Sequence, residues 1–148
     1  FKSVEWKRFS GRVVNGTADL VGCGTYGEDV DVTCSEVRRF VAEWRCFVRK
    51  GRILDVRPYR GSWRISLDTT FVEEAVTSYS AAPAGYAADF GVTEKGETLL
   101  VEVNDGYSLG SYGLEPHASA ALLAARWAEL TQTDDAFPFA DDMPDPLL

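Results

Sequence analysis

The sequence is poor in the residues on which much protein chemistry relies. It has one histidine, three cysteines, one methionine and six prolines in 148 residues. A lone His117 leaves no partner for a histidine-based metal cage and argues against a histidine-dependent nucleophile. Placed just after Pro116 at a helix start, it reads as structural. Cys23, Cys34 and Cys46 are odd in number and lack metal-ligand spacing, so free thiols in a reducing compartment are expected. No apolar run approaches the roughly 20 residues of a membrane-spanning helix, and the first residues do not read as a signal peptide. A cytoplasmic protein with no membrane partner is therefore the expectation. Positive charge is scarce, with 15 Lys and Arg against 23 Asp and Glu and a net charge of −8. Coating nucleic acid needs clustered cations, so no nucleic-acid partner is expected.

What is present suits one soluble domain: 45% hydrophobic and 26% charged residues, enough to bury a real core. Residues 1–29 are broken by glycines and read as short strands joined by loops, with Asn15-Gly16-Thr17 taken as a turn. Residues 30–37 read as a strand. AEWRCFV, Lys50-Gly51 and RILDVRPYR form a hairpin pattern with an X-Gly turn. Residues 69–80 carry Phe71, Ala75, Val76 and Tyr79 at helical spacing, with Thr69 as N-cap. A second hairpin, a loop over 106–116 and a helix over 117–131 follow. The tail, 132–148, is acidic and contains proline; it reads as irregular, docking through Phe137 and Phe139. The order of elements predicts an α+β domain with a mostly antiparallel sheet and flanking helices.

The stretch YAADFGVTEKGETLLVEVNDG raises a chemical question. If Lys95-Gly96 is a two-residue turn, Glu94 faces Glu97, and counting outward sets Asp89 opposite Glu102. Alternation then puts Asn104 on the same face. Opposed like charges destabilise a sheet, and a shared cation would offset the repulsion. Magnesium takes oxygen ligands, one or two of them carboxylates. A solvated hairpin face is the simpler alternative.

Other candidates are less specific. Gly22-x-Gly24-x-x-Gly27 spells a dinucleotide loop, but EDVDVTC after it reads as a strand where that loop needs a helix. In the ungapped register of the first hairpin, Arg45 faces Val56 and Glu43 faces Pro58. Pro58 marks an edge or a bulge. That register puts Arg45 and Arg60 on one face and Arg57 on the other. Two guanidiniums on one surface suit phosphate or carboxylate, or simple pairing with Glu43.

Taken in order, KSVEWKRFSG, CSEVRRFVAEWRCFVRKG and ADFGVTEKGETLLVEVNDGYSLGSYGL resemble the ATP-grasp superfamily. The nearest likeness is the clade named for two arginines and a lysine, which includes the assembly factor of eukaryotic translation initiation factor 2. The resemblance implies an ATP-grasp fold over 1–131, comprising the C-terminal lobe and part of the smaller one. The preceding domain is expected to be absent or truncated. It further implies Asp89, Glu102 and Asn104 as magnesium ligands, and Lys2 and Lys7 reaching the ATP phosphates. Ser35, Glu36 and Val37 would be the adenine hinge, and Glu43 a contact near the ribose. Arg45 is implied as one clade arginine and Arg60, chosen over Arg57, as the other. The implied reaction is ATP- and Mg-dependent carboxylate–amine ligation through an acylphosphate, with a peptide or protein acceptor. A nucleotide-binding assembly factor with little turnover, or a plain interaction module, are the alternatives.

Overall fold

A computed structural model describes residues 1–4, 8–24 and 27–137. Lys7 and Phe139 lie outside the described residues. The chain divides into two compact units, Phe1–Arg38 and Arg39–Leu148.

In the first unit, β1 (Lys2–Ser3) pairs antiparallel with β2 (Val32–Thr33), and Lys2 stands opposite Thr33. The strand expected over 30–37 is thus two residues long, with the rest extended loop. Phe1 packs edge-on against the buried Phe9, and its amino group donates to the Arg12 carbonyl at 2.7 Å. A 3-10 turn over Thr17–Leu20 is tied by Asp19, whose carboxylate accepts from the N–H groups of Asn15 and Gly16. No helix follows Gly27 before β2, so the dinucleotide spelling has no phosphate-binding helix.

The second unit is one antiparallel sheet with strand order β4 (Arg52–Gly61), β3 (Phe40–Arg49), β5 (Gly85–Thr93), β6 (Thr98–Asp105). The two central strands carry apolar side chains toward both faces, because each face is covered by a helix. On one face Cys46, Val48, Tyr86, Ala88 and Phe90 pack against Val72 and Val76 of α1 (Thr69–Ser78). On the other, Phe47, Leu54 and Ala87 pack against Ala118 and Leu122 of α2 (Pro116–Thr131). The cap of α1 is Asp68, not Thr69: its carboxylate accepts from the Phe71 N–H at 3.2 Å, and the longer helix expected to residue 80 ends at Ser78. For α2, Glu115 plays that part, and hydrogen bonds from the His117 and Ala118 N–H groups hold its carboxyl below the usual range. His117 packs its ring edge-on against Phe137, whose carbonyl accepts from the buried Arg49. All three cysteines are free, and burial pushes the Cys46 thiol up to about 12.

One core group is unsatisfied among the described residues. Tyr86 is 1% exposed, and its hydroxyl meets no hydrogen-bond partner there. Burial pushes its pKa up to about 12. An unpaired buried hydroxyl carries its full desolvation cost, so Tyr86→Phe is expected to raise unfolding free energy by about 1 kcal/mol in urea titrations. A loss of stability would show that the hydroxyl has a partner.

Candidate functional site

Three β-bulges decide which side chains share the α2 face. In the first hairpin the register shifts between Phe47 and Val48, where Leu54 is the extra residue, so Arg45 faces Arg57 instead of Val56. It shifts again between Glu43 and Trp44, where Tyr59 is extra, so Glu43 faces Arg60 instead of Pro58. Directly opposed residues point to one face. Arg45, Arg57 and Arg60 therefore all lie on the same face, which corrects the assignment of Arg57 to the other side. The ground for preferring Arg60 over Arg57 falls with it.

In the second hairpin the turn is one residue longer than expected. The Thr93 N–H donates to the Glu97 carbonyl, so Glu94, Lys95 and Gly96 form the loop and Glu94 does not face Glu97. A bulge at Val101 then restores the count, and Asp89 stands opposite Glu102, with Asn104 opposite Ala87. Since Arg45 also faces Asp89, four charged residues run across all four strands in one row: Arg57, Arg45, Asp89, Glu102. Two cations are followed by two anions, and the row passes through the sheet centre.

The middle of this row is buried. Arg45 is 8% exposed and Asp89 2%. Arg45 Nε donates to Asp89 Oδ1 and Nη2 to Oδ2, both at 2.7 Å, a bidentate pair that raises the guanidinium pKa further. Asn104 Nδ2 lies 3.2 Å from Asp89 Oδ2 and 3.2 Å from Glu102 Oε1, so the three side chains of the acidic end converge. Arg57 is paired with Asp55 at 2.5 Å. Glu43 accepts from Arg60 Nη1 at 2.5 Å with one oxygen and from the Tyr59 hydroxyl at 2.8 Å with the other.

The acidic end fits magnesium of one kind only. Among the described residues no three His, Cys, Asp or Glu come together, so an all-protein cage is not built. Two carboxylates and an amide match the partial set that magnesium uses when water and phosphate supply the rest, and Asp89 Oδ1 accepts a single hydrogen bond, from Arg45 Nε, among the described residues. The donors fit a metal that arrives with a phosphate ligand.

The remaining candidates belong to the first unit. Lys2 is on β1, with its aliphatic stem lying over Gly11. Ser35, Glu36 and Val37 are exposed, without regular structure, and Glu36 pairs with Arg38. Two residues at the row were not singled out from the sequence. Tyr59 and Tyr112 stack at 5.1 Å beside Arg45, Tyr112 reaching it from the loop over 106–115. Pro58 was the one visible sign that a bulge could bring Tyr59 there.

No curated protein matches the chain. A family described as "ATP-grasp domain, R2K clade family 2" matches residues 1–122. The match takes in the whole four-stranded sheet, its charged row and the Tyr112 loop. With the four-stranded antiparallel sheet lying wholly inside that match, the chain belongs to the R2K clade of the ATP-grasp superfamily.

Proposed function

We propose that the charged row holds the magnesium-bound phosphates of ATP, and that the chain serves ATP-dependent ligation of a carboxylate to an amine through an acylphosphate. The acceptor in this reading is a peptide or protein. The observation that carries it is the convergence of Asp89, Glu102 and Asn104 beside a buried arginine, some of whose donors meet no acceptor among the described residues. The superfamily is ATP-binding and ligase-type, which supports the nucleotide.

In this reading Asp89, Glu102 and Asn104 would hold magnesium, which when bound supplies positive charge against the phosphate oxygens. Arg45 has a second N–H edge for an oxyanion, and Arg57 and Arg60 extend the positive end of the sheet. Lys2, with Lys7, is proposed for the phosphates, and Ser35, Glu36 and Val37 for the adenine. Glu43 has both oxygens engaged and is not carried into the proposal. The chain's work is alignment and charge neutralisation, for which neither histidine nor cysteine is needed.

The test is thermal unfolding with Mg-ATP or Mg-ADP, in wild type and Glu102→Gln. Glu102 is half-buried, whereas Asp89→Asn would also break the ion pair with Arg45 and confuse binding with folding. The wild type should be stabilised by nucleotide only when magnesium is present. Glu102→Gln should bind at least about tenfold more weakly, or about 1.4 kcal/mol, with its unliganded melting temperature nearly unchanged. A wild type indifferent to Mg-nucleotide would remove the reading. Phosphate release in a single turnover with candidate acceptors then separates a ligase from a nucleotide-binding assembly factor.

A further inference from the structure

Arg45 is held more tightly than its ion pair requires. A guanidinium has five N–H donors in a planar fork. Asp89 takes Nε–H and one N–H of Nη2, and among the described residues no acceptor meets the others. A side chain 8% exposed thus keeps one whole edge of donors unused. The guanidinium carbon is 5.9 Å from the Tyr59 ring centre and 5.1 Å from that of Tyr112, while the two rings are 5.1 Å apart. Those distances form a nearly equilateral triangle, so the cation packs beside the stacked pair and not between its members.

Each ring is itself fixed. The Tyr59 hydroxyl donates to Glu43, which Arg60 holds from the other side. Burial, the bond to Glu43 and the nearby carboxylates all push the Tyr59 pKa up, so the phenol stays a donor. Tyr112 has φ 44°, a left-handed backbone rare for a tyrosine. Leu109 and Leu114, on either side of it, are anchored in the core under α2. Gly110 leaves room for the ring, since a Cβ there would lie 3.3 Å from it. Strained backbone held by packing on both sides is a mark of a site with a task. Tyr112 remains 47% exposed, with ring surface open to a ligand.

We propose that Tyr112, with Tyr59, is a positioning residue: the pair holds the Arg45 guanidinium so that one edge serves Asp89 and the other meets a substrate oxyanion, phosphate or carboxylate. This rests on the nucleotide reading above. Glu43 and Arg60 act one step further back, by orienting Tyr59.

The experiment compares wild type with Tyr112→Phe, Tyr112→Leu and Tyr112→Ala. Binding of Mg-ATP, Mg-ADP and succinate is measured by calorimetry, and water exchange of the Arg45 Nε–H by NMR. Tyr112→Phe should behave as wild type. Tyr112→Ala and Tyr112→Leu should weaken the oxyanion ligand by about three- to thirtyfold, the range of a partly desolvated cation–π contact, and speed Nε–H exchange. Loss confined to Mg-ATP assigns the edge to the terminal phosphate, and loss confined to succinate assigns it to a carboxylate. Rescue by leucine would reduce the role to bulk and overturn the proposal, as would unchanged exchange in Tyr112→Ala. If the wild type binds no nucleotide, the functional reading falls, while the Arg45 signal still decides the role of Tyr112.

Discussion

Arg45→Met is expected to lower the free energy of unfolding by about 3–5 kcal/mol, the usual loss when one partner of a buried ion pair is removed. The reason lies in what is left behind. Asp89 is 2% exposed, and both its oxygens are satisfied by Arg45. Without that guanidinium the remaining side-chain donor is Asn104 Nδ2 at 3.2 Å, too little for a desolvated carboxylate. Adding Asp89→Leu to Arg45→Met should recover much of the loss, because removing both charges removes the need to desolvate either. A double-mutant cycle in urea should give a coupling of about 2 kcal/mol or more. Simple additivity of the two losses would sink this account of the sheet centre. An apolar pair of similar volume often folds as well or better. The hypothesis is that the charges are kept for what they hold, and the cycle tests it by asking whether the apolar double variant folds well yet no longer responds to Mg-ATP.

The arrangement of the acidic trio was legible because two departures from the simple count cancel. Counting from a two-residue turn sets Asp89 against Glu102. The real turn is one residue longer, and the bulge at Val101 takes that residue back. In the first hairpin the same count fails, since two bulges on β4 add in one direction and shift Arg57 and Arg60 by different amounts. Leu54 can leave the ladder because its side chain finds the core under α2, and Tyr59 because Glu43 accepts its hydroxyl. Both reasons are tertiary, and alternation along a strand does not contain them. The helices were legible from spacing, but the cap of α1 was misread by one residue. Asp68 and Thr69 are both good caps, and what decides is that the Asp68 N–H is also bound by Thr98 on β6. Tyr112 was invisible for a plainer reason. A glycine-rich loop has no periodicity, and its course is set by where Leu109 and Leu114 find apolar cover.

Gly106→Ala is expected to cost about 3 kcal/mol, the upper end of overpacking in a tight core, and to weaken Mg-nucleotide together with stability. A Cβ at Gly106 would lie 2.4 Å from the Gly85 carbonyl oxygen and 2.9 Å from its carbon. Both are backbone atoms, so no side chain can turn away to make room. The same carbonyl accepts the Gly106 N–H at 3.1 Å, so relief of the clash stretches the bond that closes the sheet at this end. Around it Arg126 donates to Asp105 at 2.8 and 2.5 Å and to Glu129 at 2.7 Å, while Glu129 accepts from the Ala84 N–H at 2.8 Å. One junction therefore fixes the start of β5, the end of β6 and the middle of α2. Gly96→Ala provides the comparison. It has φ +83° but nothing within 4 Å of an added Cβ, so it should cost only backbone strain of about 1 kcal/mol. Asn104 lies two residues before Gly106, and the loop that presents Tyr112 begins with it. A shift at the junction should reach both the metal end of the row and the wall beside Arg45, whereas strain at the Gly96 turn should leave nucleotide binding unchanged. Urea unfolding and calorimetry on the two variants test this directly. If Gly106→Ala loses no more stability than Gly96→Ala, the junction is slack, and the precise placing of the site must come from the strands alone.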